Sequence, residues 1–258
     1  MKRIILILAG IAFIFSCNEK KSQFDKNADV LADNLNGHVQ QVVSTDYKVD
    51  SSGNIGGQDS CCVVVNKYNE KGWIIEYSSN DKATPNKKSE TFTHDENGMM
   101  KDVKMTTDGK SSSTISIKSQ DGKYLSAQEL DSANKLKSYY TDLSQNDYGQ
   151  LTSMKKYNAD STLSSTMTNT FNKQIFTGNE TKDSVGKVVY ASTVKLDEKN
   201  NPIEVSEKEV TKDTTKNTVT KYKYDTYDKE GNWTERTEID ENGKPKKITK
   251  REITYYKD

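Results

Sequence analysis

A four-residue signature recurs along this chain and limits its fold more than any other feature: Asp or Asn, two residues, then Gly. It stands as Asn69-Glu70-Lys71-Gly72, Asp95-Glu96-Asn97-Gly98, Asp228-Lys229-Glu230-Gly231 and Asp240-Glu241-Asn242-Gly243. Asp197-Glu198-Lys199-Asn200 is a variant, and Gly122 and Gly149 close looser copies. An Asp or Asn side chain bonds forward to the backbone and opens a type I turn. A closing Gly takes the left-handed conformation, which makes a bulged hairpin. A second set of turn-forming stretches falls between these, near residues 80–87, 107–110, 131–135, 158–162, 182–186 and 211–216. A turn about every 13 residues leaves strands of about seven to ten residues. Consecutive hairpins force neighbouring strands to pair. The expectation is an all-β chain, an antiparallel meander of about 15–16 strands over residues 37–258.

The segments alternate as half-buried strands do. Val39, Val43, Tyr47 and Val49 are expected on one face of the first strand, and Trp73, Ile75 and Tyr77 on one face of another. Val188, Tyr190, Val194 and Leu196, and later Trp233, Thr237 and Ile239, continue the pattern, while Glu204, Ser206 and Lys208 carry the opposite face. A sheet with one apolar face must bury it. The Lys- and Glu-rich face excludes a membrane-spanning barrel, which needs an apolar outer band. Sixteen strands give a perimeter of about 77 Å, too wide for side chains to fill. The expectation is therefore a curled single sheet, barrel-like but not necessarily shut.

Two parts precede the sheet. Lys2 and Arg3 lead an apolar run from Ile4 to Phe15, too short to span a membrane. Ile14-Phe15-Ser16-Cys17 resembles a bacterial lipobox, which implies cleavage after residue 16 and acylation of Cys17. The division is then signal peptide 1–16, lipidated tether and short helix 17–36, and one β domain 37–258. The helix is read from Phe24, Ala28, Leu31 and Leu35 at helical spacing, with Ser22 as N-cap and Gly37 as stop. It is expected to cover a sheet edge. The lipobox implies an outer-membrane lipoprotein, on its periplasmic or cell-surface side.

Tyr222-Lys223-Tyr224-Asp225 with Gly231-Asn232-Trp233 resembles the tyrosine–aspartate repeat of the YD or RHS type. Tyr68-Asn69 with Gly72-Trp73, and Phe92 with Asp95 and Gly98, resemble it too. The layout is similar to a family of lipoproteins built from degenerate repeats of this kind in Gram-negative anaerobes. That resemblance implies the architecture and says little of function.

Catalytic signatures are absent: there is no Gly-x-Ser-x-Gly, no His-Glu-x-x-His and no phosphate-cradling glycine loop. His38 and His94 are the only histidines and lack a ligand cluster, so no metal and no cofactor is expected. Cys61 and Cys62 are adjacent and would point to opposite faces of a strand. A net charge of +0 argues against a nucleic-acid partner. The candidate binding residues are the aromatics Trp73, Tyr77, Tyr222, Tyr224 and Trp233, which either stack on sugars or pin their hairpins. Ser132, Ser161, Ser184 and Thr214 each follow Asp in the second set of turns. They resemble the Asp-Ser/Thr-apolar motif of bacterial O-glycosylation; turn formation explains them equally.

The functional expectation is a non-enzymatic, membrane-anchored binding or scaffold module for glycans or envelope proteins. A purely structural spacer is the alternative, and a carboxylate-based hydrolase inside a barrel is a third reading.

Overall fold

The computed structural model describes residue 24 and residues 28–50, 54–81, 86–240 and 242–257. Cys17, Ser22 and the signal segment lie outside these. One helical turn, α1 (Asp29–Ala32), precedes sixteen strands. These are β1 (Val39–Val49), β2 (Ile55–Tyr68), β3 (Ile74–Asp81), β4 (Asn86–His94), β5 (Met100–Thr107), β6 (Lys110–Gln120), β7 (Lys123–Asp131) and β8 (Leu136–Gln145). There follow β9 (Leu151–Asn158), β10 (Leu163–Asn172), β11 (Ile175–Asp183), β12 (Val188–Leu196), β13 (Pro202–Val210), β14 (Thr215–Tyr227), β15 (Trp233–Ile239) and β16 (Pro245–Tyr255).

Every strand pairs antiparallel with its sequence neighbours, and β1 pairs with β16, so the meander is a closed barrel. The barrel-like curl expected from the sequence is present, and it is shut. Closure satisfies the backbone groups that an edge would leave unpaired.

The turn chemistry is the one the signature dictates. In the Asp95 turn the carboxylate Oδ1 accepts the N–H groups of Asn97 and Met99, each at 2.9 Å. The same pair of bonds recurs from Asn69, Asp131, Asn146, Asp183, Asp197, Asp228 and Asp240. The closing residue has positive φ whether it is Gly, as at Gly98, or Asn134, Ser161 or Asn200. The Asp240 copy joins β15 to β16, so it lies at the opposite barrel end from the Asp228 copy.

Cross-strand partners share a face, which traces the inner wall. One row runs Val42, Asn66, Tyr77, Glu90, Met105. Another runs Ile117, Ala127, Tyr140, Lys156, and a third Met154, Met167, Thr181, Tyr190, Glu209. Toward the plug the wall from β4 to β10 is apolar, with Phe92, Val103, Ile115, Tyr140 and Met154 in one buried cluster, and farther along it carries Glu90, Glu129 and Lys156. From β12 through β16 to β1 it is polar: Glu207, Tyr222, Arg236, Glu238, Lys247, Thr249 and Asp46. Bulges reset the alternation. The shift between Val39 and Gln41 puts Val42, rather than Val43 and Tyr47, on the inner face of β1. Register shifts near Thr226 and Tyr227 likewise bring Trp233 onto the inner wall beside Tyr224 and Arg236.

The outer wall is charged around the ring. Lys195 pairs with Glu204 at 2.8 Å, Lys67 with Glu76 at 2.8 Å, Lys155 with Asp142 at 2.7 Å and Lys250 with Glu235 at 3.2 Å. A lipid-facing wall tolerates such residues at a cost of about 2–4 kcal/mol each at mid-bilayer.

The N-terminal segment is a plug at the end formed by the signature turns, and it covers no sheet edge. It is also shorter than its periodicity predicts, with a single turn starting from Ala28. Val30 N–H donates to Gly72 O at 3.0 Å, and the Asn34 amide donates to Asn201 Oδ1 at 2.8 Å. Asn36 and Asn232 exchange two bonds, at 2.7 and 2.9 Å. Ala28, Val30 and Leu35 are buried against Tyr68, Trp73 and Ile74. The plug is thus tied to the β2–β3, β12–β13 and β14–β15 turns.

Candidate functional site

Two regions of the inner wall combine shape with chemistry. The first is a cluster of rings and guanidinium groups on β14, β15 and β16. The Arg251 guanidinium lies 3.5 Å from the Trp233 ring centre, and that of Arg236 lies 4.9 Å from it. Arg236 also stands 4.4 Å from the centre of Tyr222. Tyr224 meets Trp233 edge-on at 5.5 Å and donates its hydroxyl to Pro202 O at 2.9 Å.

The electrostatics of this cluster are unusual. Neither arginine forms an ion pair with a described carboxylate. Arg251 Nε and Nη1 are shielded from solvent and meet no acceptor among the described residues. Burial, then the neighbouring Arg236 charge, bring the Arg251 guanidinium down to about 10, with Tyr68 and Asp33 acting the other way. Burial raises Tyr224 to about 12. Two like charges share one ring, an arrangement that favours an added anion. Guanidinium forks suit a carboxylate or sulfate bidentately.

Polar groups continue along the wall. Lys247 reaches Asp46 at 2.9 Å and Glu238 at 3.4 Å, and Thr249 donates to Asp46 at 2.6 Å. Tyr190 donates to Glu207 at 2.5 Å. On β7, Glu129 is fully buried yet bonded by Lys137 at 2.6 Å and Ser138 at 2.8 Å, with Lys156 at 3.5 Å. Burial alone would raise its pKa, but those donors and the two lysine charges bring it below the usual range.

The second region is an apolar cavity of about 120 Å³ between α1 and the β4–β10 wall. Its polar corner holds Asp29, His94 and Tyr124. Asp29 accepts the Ile74 N–H at 2.7 Å and lies 3.7 Å from His94 Nε2. Burial pushes Asp29 up to about 7, against the Ile74 bond, and burial lowers His94.

The aromatics nominated from sequence divide between these regions. Tyr222, Tyr224 and Trp233 come together in the arginine cluster. Trp73 and Tyr77 stand apart, on the β2–β3 turn and β3. Trp73 is buried beneath the plug, its ring 5.6 Å from that of His94 and crowded against Gly98. It presents no sugar-stacking face, and the same holds for the buried Trp233, whose ring is taken by arginines. Of the two histidines, His38 packs between Phe24 and Tyr256, and His94 lies on Trp73. Cys62 is half-buried on β2. Ser132, Ser161, Ser184 and Thr214 are all exposed, in the β7–β8, β9–β10, β11–β12 and β13–β14 turns, on the rim away from the plug.

Arg236 and Arg251 were missed, though a signal existed. Arg3, Arg236 and Arg251 are the only arginines in a chain otherwise rich in lysine. Arg is favoured where a cation must stack on a ring.

No family model matches this chain, and no curated protein does. Among solved structures, a porin-like protein from Bacteroides uniformis ATCC 8492 is 13% identical with a TM-score of 0.40, over 84% of this chain and 98% of that one. A porin-like protein from Bacteroides vulgatus ATCC 8482 is 9% identical with a TM-score of 0.43, over 85% and 99%. The TcdB2–TccC3–Cdc42 complex is 12% identical with a TM-score of 0.30, over 83% of this chain and 12% of that one. All three likenesses are remote and say nothing of ligand or location.

Proposed function

We propose that this chain is a cell-envelope lipoprotein, acylated at Cys17 and held at the outer membrane, whose plugged barrel binds glycans without catalysis. The observation that carries the reading is the pair of carboxylate-free arginines on Trp233, beside Tyr222, on a polar inner wall. A saccharide bearing carboxylate or sulfate groups offers the anionic partner that the two guanidinium groups lack among the described residues. Its anionic group meets the two guanidinium forks, its ring lies against Tyr222, and its hydroxyls reach Glu207, Glu238 and Lys247. The charged outer wall and the acyl anchor fit a soluble body tethered to a membrane rather than a pore.

The test is a glycan array followed by calorimetry on the intact protein. Saturable binding to acidic oligosaccharides is expected, weakened by Arg236→Gln and by Tyr222→Ala. A folded protein that binds no member of the array would overturn the reading and leave the structural spacer.

The rim favours a second, compatible role. Ser132, Ser161, Ser184 and Thr214 occupy four alternate turns of one end, all exposed. We propose that this rim carries O-linked glycans. Intact masses from the native host equal to the bare acylated protein would refute it.

A further inference from the structure

The cavity under the plug is not needed by the glycan reading, and it is built differently from the arginine cluster. It exists because one helical turn cannot fill the end of a barrel with a perimeter of about 77 Å. The plug is bonded to the β2–β3, β12–β13 and β14–β15 turns. On the β4–β10 side Asp29 approaches His94 at 3.7 Å, and a cavity lies behind that contact. Protein interiors leave few voids larger than a water molecule, and a void of this size that stays dry is apolar.

The lining is selective in kind. Phe92, Val103, Ile115, Ala127, Tyr140 and Met154 make the wall, and Met99 and Met100 close it beneath the β4–β5 turn. Methionine adapts to irregular apolar shapes. The ionisable side chains apart from tyrosines are Asp29 and His94, both at the plug. Burial raises Asp29 toward neutrality and lowers His94, so both favour their uncharged forms. Beside them the Tyr124 hydroxyl accepts the Met100 N–H at 3.1 Å and donates to no described acceptor. A hydroxyl hydrogen without an acceptor, at the edge of an apolar void, is half of a recognition contact.

We propose that this cavity is a binding site for a small uncharged molecule of about one ring in size, with a single oxygen acceptor that takes the Tyr124 hydroxyl hydrogen. The ring lies among Phe92, Ile115, Tyr140 and Met154. The oxygen sits at the Asp29–His94–Tyr124 corner. Cavities of about 150 Å³ lined by similar residues hold benzene, and this one, about 120 Å³ and open on one side, is close to that size.

Benzyl alcohol and toluene are the probes, titrated into the full chain labelled at methionine methyl groups. Both are expected to shift the signals of Met99 and Met154. Tyr124→Phe should weaken benzyl alcohol by roughly 2–10-fold and leave toluene unchanged, as one neutral hydrogen bond requires. Ala127→Leu, which fills the void from the wall, should abolish both. The proposal is overturned if neither probe moves those signals at millimolar concentration, or if the shifts persist in Ala127→Leu. Should Ala127→Leu not fold, the wild-type titration and Tyr124→Phe decide alone. Loss of acidic-glycan binding has no bearing on these signals, so the two readings fail separately.

Discussion

Two signature turns that look alike in sequence should respond differently to one added methyl group. Gly98 and Gly243 both close an Asp-x-x-Gly turn, with φ of +81° and +79°. Alanine in that conformation costs about 1–2 kcal/mol in strain. Reduced freedom of the unfolded chain returns about 0.4–1 kcal/mol. At Gly243 no atom lies within 4 Å of the new methyl, so Gly243→Ala should cost only that net strain, about 0.5–1.5 kcal/mol. At Gly98 the methyl falls 2.5 Å from two ring carbons of Trp73. That ring is held by His94 on one side and the Lys71 ammonium at 4.7 Å, so it cannot swing aside as a flexible chain end would. Overpacking adds about 1–3 kcal/mol, for a total of about 2–4 kcal/mol. Urea midpoints at constant slope measure the difference, and a thermal scan should show about 2–4 °C for each kcal/mol. Equal losses at the two glycines would refute the reasoning, because the plugged end would then be no better packed than the far rim.

Three further outcomes are expected. Asp29, raised to about 7 by burial, and Asp33, raised to about 6 by burial, bind more protons folded than unfolded, so their stabilisation is complete near pH 4 and lost as pH rises through 6 and 7. His94, lowered by burial, works the opposite way below its usual range. Asp29→Asn keeps an acceptor for Ile74 and should raise Tm at pH 8 while changing little at or below pH 4; an equal effect at both pH values would contradict the assignment. Glu129→Ala leaves the mostly buried Lys156 without its partner, while the half-exposed Lys137 turns to solvent, and should cost about 1–3 kcal/mol in urea unfolding. Arg251→Met keeps contact with Trp233 but removes a like charge beside Arg236; stability should hold or rise while acidic-glycan affinity falls, and a stability loss above about 2 kcal/mol would show the guanidinium to be structural.

Local chemistry made the strands legible. An Asp carboxylate that accepts two N–H groups within four residues needs no partner elsewhere, so the turns, and from them the antiparallel order, could be read from spacing. Closure is not local: it depends on Tyr47 meeting Ile248, residues no spacing rule connects. The width argument against closure assumed side chains alone would fill the interior, whereas a separate N-terminal segment takes one end and half the wall is polar. Trp233 and Tyr224 were named as rings, but their setting comes from Arg236 on the adjacent strand and Arg251 on the next. The faces of β1 and β15 were misread because a one-residue bulge inverts every side chain beyond it.

The seam between β1 and β16 also bears on how the chain is made. Val39 pairs with Tyr255, and the Tyr256 N–H donates to His38 O at 2.8 Å. The first strand to leave the ribosome therefore waits for the last, with one side of its backbone unpaired throughout translation. Long-range pairing of this kind is slow, and a waiting edge invites other chains. A circular permutant joined at residues 38 and 256 and opened between β13 and β14 would shift that wait to a different strand, and with it the aggregation-prone interval.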